Sequence, residues 1–86
     1  MTVIFHGNVQ EYTSGKKSYT AGATQSMRTL IETLCEHFGE NFREFLLGKD
    51  TCFFLVNGKG IIATGGMDTP LHPEDKVDVL PFVGGG

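Results

Sequence analysis

One stretch limits the folds open to this chain more than any other. Met27, Leu30, Ile31, Leu34 and Phe38 recur at helical spacing, with Thr24 and Ser26 ahead of them and Gly39 behind. Apolar residues three and four apart line one stripe of a helix, either hydroxyl residue can cap its start, and glycine commonly follows the last turn. The spacing predicts an amphipathic helix whose stripe has to lie on another element. In 86 residues there is one core for it to join, because a chain of this size has nothing left over for a second.

The opposing surface is read from strand-like runs on both sides of the helix. Val3-Ile4-Phe5-His6 opens as an apolar and aromatic run, Thr13-Ser14-Gly15-Lys16-Lys17 breaks it, and Ser18-Tyr19-Thr20 returns, so a hairpin is expected. Phe42, Phe45 and Leu46 then share one side of a further turn or short helix, closed by Gly48. Residues 51–56 read as a buried strand, Asn57-Gly58 as a tight turn, and Gly60-Ile61-Ile62-Ala63 as the returning strand, ended by Gly65-Gly66. After Thr69-Pro70-Leu71-His72-Pro73, the segment Lys76-Val77-Asp78-Val79-Leu80 alternates as a half-buried strand does. The order β-β-α-β-β-β predicts an α+β domain, a mixed sheet with the helix covering one face. Alternation sends Val77 and Val79 to one side and Asp78, Leu80 and Phe82 to the other. Leu80 and Phe82 are then either core or an exposed apolar docking patch.

Composition and motifs exclude several kinds of chemistry. A net charge of -3, from 7 basic and 10 acidic residues, argues against nucleic acid and anionic membrane as partners. No basic leader precedes the first strand and the longest apolar run, residues 52–56, is too short for a membrane span, so a cytoplasmic protein is expected. His6, His37 and His72 lie in separate elements without ligand spacing, and Cys35 and Cys52 form no CxxC pair, so no metal site is expected. Both cysteines sit in apolar segments and read as reduced core thiols. Glu32 and Glu36, one helical turn apart, read as solvated carboxylates. Gly58-Lys59-Gly60 lacks the spacing of a phosphate loop and the helix such a loop needs. No self-sufficient active site emerges.

The segment Leu80-Pro81-Phe82-Val83-Gly84-Gly85-Gly86 remains. Glycines without side chains fit a channel too narrow for a β-carbon. A terminal carboxyl, with a reference pKa of ~3.5, is ionised at neutral pH and can attack a nucleotide α-phosphate to form an acyl adenylate. A glycine run at a chain end is a weak signal by itself. Its place directly after the strand that seals the fold strengthens it. The expected division is a domain over residues 1–83 and a flexible tail over residues 84–86.

Several motifs follow one another in order: Phe38-Gly39-Glu40-Asn41-Phe42-Arg43-Glu44-Phe45-Leu46-Leu47, Val56-Asn57-Gly58, Asp68-Thr69-Pro70-Leu71 and Glu74-Asp75-Lys76-Val77, ahead of the terminal glycines. With them the chain resembles the MoaD/ThiS family of sulfur carriers over nearly its whole length, and within it the small subunits of molybdopterin synthase. The resemblance implies a ubiquitin-like β-grasp fold of four to five strands and no bound cofactor. It also implies a carrier and not an enzyme, with Gly86 as the residue adenylated and converted to a thiocarboxylate. Gly84 and Gly85 would thread into partners, and Leu80, Pro81, Phe82 and Val83 would contact them. The implied partners are an adenylating enzyme of the ubiquitin-activating type, a sulfurtransferase and the large subunit of molybdopterin synthase. The family often has Pro-Pro where this chain has Pro81-Phe82, and usually two closing glycines where this one has three. The extra residue adds ~3.3 Å of reach, which leaves Gly85 and Gly86 as alternatives for activation. Conjugation to lysines, sulfur transfer for thiamine or tRNA, and a plain interaction module with an inert tail stay open.

Overall fold

The computed structural model describes residues 1–22, 25–48 and 52–81. Strand β1 (Thr2–Phe5) runs into a 3-10 turn, Gly7–Tyr12, and β2 (Ser18–Thr20) returns antiparallel to it, with Val3 opposite Tyr19. The expected hairpin is therefore present, with a helical turn in its connection. A short strand β3 (Gln25–Ser26) leads into helix α1 (Met27–Phe38). Ser26 caps that helix: its hydroxyl accepts from the Thr29 amide at 3.2 Å, satisfying one of the donors that a helix start leaves open. Thr24, the other expected cap, lies outside the described residues.

Gly39 ends α1 at φ 98°, a backbone region costly for residues with a side chain, and its carbonyl accepts from the Arg43 amide as helix α2 (Glu40–Leu47) begins. One glycine thus serves two helices. Strand β4 (Cys52–Val56) turns at Asn57 and Gly58, with φ 51° and 85°, into β5 (Lys59–Gly60). Here the structure corrects the expected strand over residues 60–63: only Lys59 and Gly60 pair with β4, and Ile61–Thr64 forms a single helical turn, α3. A 3-10 turn, Gly66–Asp68, then leads into β6 (Pro70–Leu71), which pairs antiparallel with β3, and β7 (Lys76–Pro81) closes the fold.

The described strands make a five-stranded mixed sheet in the order β2-β1-β7-β4-β5. β7 lies at its centre, parallel to β1 and antiparallel to β4. This is the β-grasp arrangement, a sheet with helix α1 across one face. Val3, Phe5, Val77, Val79 and Val56 point to that face and meet Met27, Leu30, Ile31, Leu34, Cys35 and Phe42 in one buried cluster. Phe5 packs edge-on against Phe38 and Phe42, with ring centres 5.5 and 6.0 Å apart. Fully burying one such aliphatic or aromatic side chain contributes roughly 1.5–3 kcal/mol, and β1, β4 and β7 each donate at least one. Among the described residues no helix is long and apolar enough to cross a membrane.

Candidate functional site

The sheet has a second face that α1 does not cover. Register places Ile4 beside Asp78, Asp78 beside Leu55, and Leu80 beside Phe53. Cross-strand partners share a face, so Ile4, Leu55, Leu80 and Phe53 lie together on the open side. Ile4, Leu55 and Leu80 are half-buried and Phe53 is 42% exposed. Leu80, predicted to be core or docking surface, is therefore part of an apolar patch on the open face. Ile4, Phe53 and Leu55 complete that patch, and none of them was singled out from the sequence. The signal was there: residues 52–56 alternate across β4, but a run without polar residues conceals which face is which.

Pro81 turns to the other side. Its register partner is Cys52, and its ring packs on Gly7 so closely that a β-carbon there would stand 3.0 Å from Cγ. Phe82, Val83, Gly84, Gly85 and Gly86, and with them the expected boundary between domain and tail, lie outside the described residues. What the structure does place is the root of that segment. It is the end of the central strand, next to the open apolar patch, with Leu80 one residue before the last described position.

One ionisable group interrupts the patch. Asp78 is only 8% exposed, and its Oδ1 accepts from Nε2 of His6 at 2.8 Å, with the Lys76 ammonium 3.9 Å away. At the far end of β7, the Asn57 amide donates to Asp75 at 3.0 Å and the His72 backbone amide donates to the same carboxylate at 2.8 Å. These bonds, that of Asn57 foremost, hold the Asp75 carboxyl below its usual range. The Asn57 side-chain oxygen accepts from the Lys76 amide at 3.0 Å, so the β4–β5 turn is tied to the start of the central strand.

Elsewhere, Glu32 and Glu36 are exposed on α1, as a solvated pair would be. Cys35 is buried, and that burial pushes its thiol pKa up, which suits a core residue and not a nucleophile. Cys52 is half-buried in β4, and with Ile61, Ile62 and Ala63 it lines an apolar groove of about 470 Å³.

No curated protein sequence matches this chain. Solved structures do. Over 99% of this chain and 98% of its counterpart, the fold matches a structure of the Amycolatopsis orientalis BexX/CysO complex, with a TM-score of 0.79 at 20% identity. The small archaeal modifier protein 1 (SAMP1) of Methanosarcina acetivorans matches over 99% of this chain and 94% of its own, with a TM-score of 0.75 at 22% identity. A Pyrococcus furiosus protein named for subunit 1 of a molybdopterin converting factor matches over 95% of both chains, with a TM-score of 0.72 at 20% identity. The ThiS family model matches residues 3–86. Spanning almost the whole sequence, that match establishes that this chain belongs to the ThiS family, whose members are small ubiquitin-like sulfur carriers and modifiers.

Proposed function

We infer that the chain is a sulfur carrier for the synthesis of molybdopterin, acting as the small subunit of its synthase. The observation that carries this reading is the apolar open face of the sheet, Ile4, Leu55, Leu80 and Phe53, at the root of the glycine tail. A face of this kind docks on a partner, and the tail that leaves its edge then reaches that partner's reaction centre. There the Gly86 carboxylate attacks the α-phosphate of ATP, pyrophosphate leaves, and the acyl adenylate forms. The persulfide of a sulfurtransferase next displaces AMP to give an acyl disulfide, and a thiol cleaves its S–S bond, leaving the thiocarboxylate on the chain and a disulfide on the thiol's side. The large subunit of the synthase draws sulfur from that group. The chain contributes positioning and a carrier group, while the partners contribute catalysis. Residues 1–83 form the docking domain, residues 84–86 the threaded tail, and Leu80, Pro81, Phe82 and Val83 contact the partner.

Incubation with ATP, a sulfur donor and the adenylating enzyme should replace one terminal oxygen with sulfur, which intact-mass spectrometry reads directly. If the mass stays that of the free acid while the same mixture thiolates a known carrier, the reading fails. The similarity to a modifier protein favours one second reading, in which the same adenylate is passed to target lysines. Target lysines that carry residues 77–86 as a branch, which trypsin leaves by cutting after Lys76, identify that outcome.

A further inference from the structure

Asp78 sits between apolar residues on the open face. Its neighbours across β7 are Ile4 on one side and Leu55 on the other. Resting on the docking reading above, we propose that Asp78 selects the partner. The protein surface that covers the open face carries a cationic side chain, arginine or lysine, set among apolar residues and aimed at this carboxylate.

The two oxygens of Asp78 are unequal. His6 donates to Oδ1 at 2.8 Å, and Lys76 approaches that same oxygen only to 3.9 Å, beyond hydrogen-bond reach, with its side chain 62% exposed. Oδ2 has no donor among the described residues. In the isolated chain water serves it. A docked partner removes that water, and a buried carboxylate oxygen without a donor is expensive. A wholly apolar partner surface is therefore rejected, whereas one that brings a charged donor gains a strong, directional bond in a desolvated setting. The acidic balance of the chain favours the same kind of surface. His6 fixes the carboxylate from one side and leaves the other for the partner, so it acts as a positioning residue.

The test is titration calorimetry of the purified adenylating enzyme of the same organism against the wild-type chain, Asp78→Asn, Asp78→Leu and Leu80→Asp. Thermal unfolding of each variant shows that it remains folded. Asp78→Asn should weaken binding at least about tenfold and flatten its dependence on salt. Asp78→Leu, which joins the apolar neighbours Ile4 and Leu55 and suits a strand better, should weaken it further. Binding of Asp78→Leu equal to or tighter than wild type, with Leu80→Asp abolishing it, overturns the selection by Asp78 and leaves the docking face intact. Binding unchanged in Leu80→Asp, or absent for the wild-type chain, overturns the docking reading and this inference with it.

Discussion

At Gly7 the backbone takes a φ of 55°, and a β-carbon there would meet Pro81 Cγ at 3.0 Å. Strain in the left-handed region and the clash act together, so Gly7→Ala should lower stability by about 1–3 kcal/mol, read from urea unfolding. Because Pro81 is the neighbour displaced, the loss should come with altered amide shifts at Leu80 and Pro81's partner Cys52. Asp75 sets a second expectation. Its pKa is lowered in the folded chain, first by the Asn57 amide and then by the His72 backbone amide. A lowered carboxyl stabilises the fold above its unfolded-state pKa of ~3.9, and that stability is lost as pH falls through the folded value. Asn57→Gly keeps a residue suited to the positive φ of the turn and removes the amide. It should therefore be destabilising at pH 7 and less so near pH 2, where only the loss of the bond from the Lys76 amide remains, measured by unfolding at both.

Among the elements, α1 and α2 are held to the sheet by a small group of aromatic rings. Phe42 is fully buried and touches both Phe5 and Phe38, with ring centres 6.0 and 5.2 Å away. Phe42→Ala should cost about 3–5 kcal/mol in equilibrium unfolding, against a total stability that rarely exceeds 5–15 kcal/mol. Elements with local signals were legible in the sequence. The stripe from Met27 to Phe38, the cap at Ser26 and the stop at Gly39 all lie within one segment, and Asn57-Gly58 announces its turn. The returning strand was misread because Ile61 and Ile62 have strand propensity, yet the chain coils into α3 and leaves Ile62 96% exposed. The pairing of β3 with β6 was invisible for a different reason. Four residues far apart in sequence carry it, helped by the Met27 amide donating to the Thr69 carbonyl at 2.9 Å. The same holds for the His6–Asp78 bond, which joins positions 72 residues apart. Periodicity marked Asp78 as off-core but had no means of naming its partner.

For the molecule as a whole, the buried cluster of the described residues lies at or before Val79. On the proposed division into domain and tail, removing Gly85 and Gly86 should leave the melting temperature unchanged while abolishing thiocarboxylate formation, a separation that calorimetry and intact mass test together. The central position of β7 has a mechanical consequence as well. A pull applied beyond Pro81 runs along a strand bonded on both flanks, to β1 and β4, so it loads two hydrogen-bond ladders in shear and does not unzip them one bond at a time. Tension from an enzyme gripping the final residues would be spread over the middle of the sheet, the part of the fold best able to withstand being tugged.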